Sequence, residues 1–232
     1  MTASFWRIGA ASAMLFLGGC AQTPLSSPTL PAQAEWQAVP LPGKTATLYR
    51  WERKDGRDAI AAIADASASM FRRTVSRPAE TLGTVSFSWW VQEKPLQGNV
   101  ANVDREDAAA RVLFGFGGDV SKLPLRTRVM FELAEALTGE QPPYATLMYV
   151  WDASAPVGSV IVNPRSDRIR KIVVDSGPQE LQRWCEHRRD LAADFRLAFG
   201  EEPGALNSIA VMTDSDNTRS RARSWYGPVE LH

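Results

Sequence analysis

Thr84-Val85-Ser86-Phe87-Ser88-Trp89-Trp90-Val91 decides the fold. Val85, Phe87, Trp89 and Val91 fall at every second position and share one face, and serines hold the other face until Trp90 breaks the pattern. Successive side chains of a strand point to opposite faces, so this stretch predicts a half-buried β-strand with one ring inside and its neighbour outside. Working outward, Arg111 to Phe116, Leu147 to Trp151, Ile169 to Asp175 and Ile209 to Thr213 repeat the pattern of short apolar or aromatic runs bounded by turns. Gly177-Pro178 and Pro203-Gly204 punctuate them. Ala46 to Trp51 reads as an early strand and Tyr226 to Leu231 as a late one. Leu125 to Leu137 has helical spacing with some strand character, while Asp190 to Phe199 places Leu191, Phe195 and Phe199 on one stripe before a terminating Gly200. Many short strands with few helices predict a mainly β domain: an antiparallel β-sandwich of jelly-roll type with a minor helix near 190–199. The alternative is an α+β domain with one covered sheet.

The N-terminus supplies an address. Arg7 precedes an apolar run from Ile8 to Phe16, too short to span a bilayer, and Leu17-Gly18-Gly19-Cys20 follows. This ending resembles a bacterial lipobox, which implies cleavage before Cys20 and a diacylglycerol on its thiol. The expected organisation is a lipoprotein signal peptide over 1–19, a lipidated Cys20 with a tether over 20–34, and one domain over 35–232. The tether, AQTPLSSPTLPAQA, carries no charge and little apolar surface. As fourteen residues it reaches at most ~43 Å in polyproline form, or about 20 Å as a coil. Without an aspartate after Cys20, the resemblance to enterobacterial lipoproteins implies the outer membrane, facing the periplasm.

Beyond residue 19 the chain has 25 basic and 26 acidic residues. That near-neutral balance supplies no field for tracking phosphates, so nucleic acid is excluded as a natural partner. The expected partners are the membrane through the lipid anchor, a carbohydrate ligand and an envelope protein. Cys185 has no disulfide partner once Cys20 is acylated and reads as a small buried hydrophobe. His187 and His232 are poorly placed to activate it.

The region from Trp36 to Leu231 resembles the bacterial family DUF3047, a domain of unknown function. The resemblance rests on LPGKTATLYRW (41–51), SFSWWV (86–91), DAAARVLF (107–114), IVVDSG (172–177) with WCEHRRDLAADFRLAFGEEP (184–203), and SIAVMTDSDNTRSRARSWYG (208–227). Family members often carry Gly-Asp-Asp where this chain has Arg105-Glu106-Asp107, so the acid pair is kept in form. The family name implies no activity. The late segment is similar to that of carbohydrate-binding jelly rolls, a likeness of fold.

Asp214, Asp216 and Asn217 follow a strand and offer alternate oxygens on a tight loop, which suits a calcium ion or an Asx turn. Arg111 opens an apolar strand and needs an acid, with Asp214 or Asp216 as the cross-strand candidates, and Asp107 lies four residues before it. Seven tryptophans remain beyond residue 19. Trp90 is the ring expected outside, free to stack on a sugar, whereas Tyr149 and Trp151 share a core face. Arg183, Arg188 and Arg189, interleaved with acids, read as a solvated face. No nucleophile elbow, metalloprotease helix or phosphate loop is present, and no catalytic residue is assigned. The reading is therefore a non-catalytic saccharide-binding domain of an envelope lipoprotein, with Trp90 beside Asp107, Arg111, Asp214 and Asp216. The alternatives are a glycan-active enzyme with a carboxylate pair and a structural lipoprotein that binds protein.

Overall fold

The computed structural model describes residue 1, residues 35–95 and residues 97–232. Cys20, the signal segment and the tether lie outside the described residues. No helix among the described residues is long and apolar enough to cross a membrane.

In chain order the strands are β1 (Gln37–Pro40), β2 (Leu48–Lys54), β3 (Arg57–Asp65), β4 (Ser69–Arg77), β5 (Thr84–Glu93), β6 (Arg111–Phe116), β7 (Ala145–Asp152), β8 (Val160–Asn163), β9 (Ser166–Ser176), β10 (Trp184–Asp190), β11 (Leu206–Met212), β12 (Arg221–Tyr226) and β13 (Glu230–Leu231). Among the described residues two α-helices, α1 (Leu125–Thr138) and α2 (Leu191–Phe199), interrupt them. The first sheet runs β1-β4-β11-β6-β7-β9-β8 and the second β10-β5-β12-β3-β2, with β13 on β5. All pairings are antiparallel except β7 with β9. The domain is a jelly-roll-like β-sandwich.

The core lies between the sheets. Val85, Phe87, Trp89 and Val91 of β5 point inward, as their alternation predicts, and meet Val112, Phe114, Tyr149 and Trp151 from the first sheet. Phe87 stacks on Tyr149 with ring centroids 5.3 Å apart. Tyr149 and Trp151 are thus core residues, and Tyr149 donates to Asp194, which also receives both forks of Arg189 at 2.7 and 2.8 Å. Arg189 is therefore tied to α2, while Arg183 and Arg188 face solvent. Cys185 is buried, and burial pushes its thiol up to about 11, so it packs as an inert hydrophobe. His187, two residues on, pairs with Asp175 at 2.9 Å.

Helix α2 begins where the Asp190 side chain caps the amide of Ala193 and stops at Gly200, whose φ of 71° suits glycine. It covers one end of the sandwich, with Phe195 against Phe116 at 4.7 Å. Helix α1 is helical throughout, so the strand character read into 125–137 does not materialise; Pro124 opens it and Gly139 closes it. Its faces are inverted. Phe131 alone is buried, whereas Leu125, Val129, Met130, Leu133 and Leu137 are each more than half exposed and form one apolar arc. The predicted late strand Tyr226 to Leu231 is broken by Gly227–Val229 into the ends of β12 and β13.

Candidate ligand-binding groove

The outer face of the first sheet is hollow. Cross-strand register lays out three rows of outward side chains over five adjacent strands. Met70, Met212, Arg111, Val150 and Val173 form the first, and Arg72, Ala210, Leu113, Met148 and Lys171 the second. Thr74, Ser208, Gly115, Thr146 and Ile169 form the third. Phe131 of α1 hangs over these rows, and the enclosed groove holds about 480 Å³. Its floor mixes aliphatic and thioether side chains with Arg72, Arg111, Thr146 and Ser208, and among the described residues Phe131 is the one aromatic ring lining it.

One end of the groove is charged. The loop after β5 folds on Asx turns, with Asn99 and Asn102 side chains accepting from Ala101 and Asp104 amides at 2.9 Å each. Asp152 at the end of β7 pins this loop through the Val100 amide, 2.9 Å away. The loop thereby delivers Glu106 and Asp107 to the start of β6, both buried. Arg111 there is 2 % exposed and forks onto Asp214 at 3.1 and 2.9 Å, as its need for a cross-strand acid predicts. Glu106 accepts Lys171 at 2.7 Å, Asn163 at 2.6 Å and Arg165 at 2.6 Å. Asp107 does not pair with Arg111; it holds the amides of Asn217 and Thr218 at 3.1 and 2.7 Å and the Thr218 hydroxyl at 2.6 Å. Asp216 takes the ammonium of Lys44.

Burial shapes the titration of this cluster. The carboxyl of Asp214 is pushed up to about 6, first by loss of water and then against the pull of Arg111. Lys171, with no exposed surface, is brought down to about 8 by burial and by the charge of Arg111.

Carboxylate oxygens of Asp107, Asp214 and Asp216 lie within 4.8 Å of one another. Two of the anticipated cation ligands, Asp214 and Asp216, are thus brought together with Asp107, while the Asn217 side-chain amide donates to the Val103 carbonyl at 3.2 Å. Among the residues described here, four acids (Glu106, Asp107, Asp214, Asp216) face four cations (Lys44, Arg111, Arg165, Lys171). A calcium ion would have to displace Lys44 and compete with Arg111 for Asp214. The oxygens are close enough for an ion, but the charges around them already balance.

Trp90 is the largest departure from expectation. It lies on the outer face of the second sheet, in one cross-strand row with Trp184 and Trp225, across the sandwich from Asp107, Arg111, Asp214 and Asp216. Trp90 meets Trp184 edge-on at 6.2 Å, and Lys54 lies 4.3 Å from its ring centre. Ala59 and Ala61 of β3 supply the flat bed beneath these rings. Alternation put the ring outside correctly, but it carried no information on which sheet β5 belongs to. Glu106 entered the sequence reading only as half of an adjacent acid pair with no partner assigned, and Lys171 did not enter it. A lysine sharing a strand face with Ile169 and Val173 was the available signal for Lys171.

Fold and groove together define a jelly-roll β-sandwich with a covered hollow on one outer sheet face. Within that class, the chain belongs to the family described as a protein of unknown function (DUF3047), whose model matches residues 34–230. Among curated proteins no sequence matches it. Three solved structures are similar at low identity. The family 11 carbohydrate-binding module of the cellulosomal cellulase Lic26A-Cel5E of Clostridium thermocellum has 8 % identity and a TM-score of 0.41, with 85 % of this chain and 86 % of that one covered. The xyloglucanase domain of NopAA, an effector from Sinorhizobium fredii, has 8 % identity and a TM-score of 0.42, covering 86 % and 98 %. A cellulase derived from Cel12A of Rhodothermus marinus has 14 % identity and a TM-score of 0.42, covering 87 % and 93 %.

Proposed function

We propose that this chain is an envelope lipoprotein, lipidated at Cys20 and held by residues 21–34 at the outer membrane, whose domain binds a saccharide in the groove without turning it over. The observation that carries the binding part is the charged end of the groove. Its carboxylates are held by donors within the protein, so they present a preset, neutral array of acceptors and donors to hydroxyl groups. Asp216, paired among the described residues with the exposed Lys44, is the acid most able to exchange its partner for a ligand hydroxyl.

One observation favours an enzyme: Asp214, with its carboxyl near 6, sits beside two further acids. An Asp216→Asn variant separates the two readings. Binding to a glycan array by wild type, weakened at most about tenfold in the variant and with no release of reducing ends, supports a binding module. Release by wild type that falls by about 10²–10⁴ in the variant overturns it, since that is the scale of general acid–base catalysis. For the anchor, Cys20→Ser should leave an uncleaved precursor that takes up no labelled fatty acid. Labelling that persists in the variant would overturn lipidation at Cys20.

A further inference from the structure

We infer that the groove takes an amphiphile: a neutral, hydroxyl-rich head at the charged end and an aliphatic chain along the floor. This inference rests on the saccharide reading for its head group alone.

The floor carries the chain. The central row Ala210, Leu113 and Met148, flanked by Met70 and Met212, presents no flat ring on the floor for a pyranose face to stack on, the one aromatic ring, Phe131, being in the roof. Side chains of this kind instead match a flexible hydrocarbon, and methionines adapt their shape to it. The groove crosses five strands, and the uninterrupted apolar stretch of its central row, Ala210, Leu113 and Met148, covers the middle three, about 10 Å at the ~4.8 Å strand spacing, between Arg72 and Lys171. Beyond the floor the groove narrows. A Cβ at Gly115 would come within 2.4 Å of the Ser208 hydroxyl and 2.9 Å of Pro143, so this end is filled by the loop after α1.

The rim decides the head. Every cation bordering the groove has an acid: Lys44 has Asp216, Arg72 has Glu140, Arg165 has Glu106 and Arg168 has Glu201. Lys171, beneath them, is held by Glu106. A carboxylate or phosphate head would meet no spare positive charge, whereas hydroxyls can both donate to Asp216 and accept from Lys44. The roof is compatible with chain entry, because Phe131 is the one fully buried side chain of α1, with Thr127, Arg128 and Ala134 half-buried beside it.

Isothermal titration of the full-length protein with monomeric alkyl β-glucosides of six, eight and ten carbons tests this. The expected result is a Kd that falls about fourfold per methylene, the value of burying a CH₂, with free glucose and maltose at least a hundredfold weaker than the decyl glucoside. Leu113→Gln, on the floor, should flatten that slope, and the slope in wild type is informative even if this variant folds poorly. Trp90→Ala, on the opposite sheet, should leave it unchanged. A flat slope with free oligosaccharide bound as tightly as the alkyl glucosides would overturn the chain while leaving the saccharide reading intact. Decanoate bound as tightly as decyl glucoside would overturn the neutral head, and the saccharide reading with it, while the chain-length slope survived.

Discussion

The two outer faces of this sandwich use their unusual residues in opposite ways. The second sheet carries the rings: Trp184, Trp90 and Trp225 line up across three strands over an alanine bed and are overlain by Lys54, Arg57 and Arg223. It has plenty of aromatic surface, and the groove does not lie on it. The first sheet carries a hollow with almost no rings, floored by leucine and methionine and closed at one end by buried charges. Aromatic surplus by itself therefore does not locate a site. A row of tryptophans on a flat sheet can be covered by its own neighbours through cation–π contacts, while concavity arises where a loop and a helix rise above a sheet.

The strongest way to break this comparison is to remove the charge that holds the hollow. Arg111→Ala leaves Asp214 and the Glu106 carbonyl without their buried donor, and it should cost about 3–5 kcal/mol in denaturant unfolding, as expected for one member of a buried ion pair. A loss below about 1 kcal/mol would mean that the network is not structural.

A second test uses pH. The folded Asp214 keeps a proton up to about 6 that the unfolded chain releases near its ordinary value of 3.8, so its contribution is present at low pH and is lost as pH rises to about 6. Folded Lys171 releases its proton near 8, well below the ordinary 10.5, so its contribution is present at high pH and is lost as pH falls to about 8. These groups should make stability lowest between pH 6 and 8, with each limb worth about 3 kcal/mol. The stability difference between wild type and Asp214→Asn should track the acid limb, and that between wild type and Lys171→Met the alkaline one. Differences that stay constant with pH would contradict the buried titration.

The smallest effect belongs to the other face. Trp90→Ala should cost only about 1–2 kcal/mol, because the ring is half-buried and its neighbours can close over it. A loss as large as that of Arg111→Ala would make the tryptophan row part of the main core.

How much of this was legible in the chain depended on how local each question was. Strand β6 was read with its true ends, and β5 and α2 almost so, because alternation and capping residues are written within a few positions. Strands β3 and β4 were missed. β3 is alanine-rich, and β4 reads SMFRRTVSR, with arginines where a simple alternation would place polar residues on one face only. An acid for Arg111 was foreseen, since a guanidinium that opens an apolar strand must find one, but the choice between Asp214 and Asp216 was settled only by the structure. The pairing of Glu106 with Lys171 was not foreseen, since they meet across the loop after β5 and strand β9, 65 positions apart. Trp90 failed for the same reason, as period-two spacing fixes which neighbours share a face but not which sheet that face belongs to.

The inverted helix α1 has a practical consequence at the bench. Leu125, Val129, Met130, Leu133 and Leu137 give the purified protein a sticky edge about 20 Å long, at 1.5 Å per helical residue. Retention on a phenyl column and losses on concentration in detergent-free buffer should exceed what a mean hydropathy of −0.22 suggests. Leu133→Glu together with Leu137→Lys should cure both, since neither side chain is needed to hold the fold.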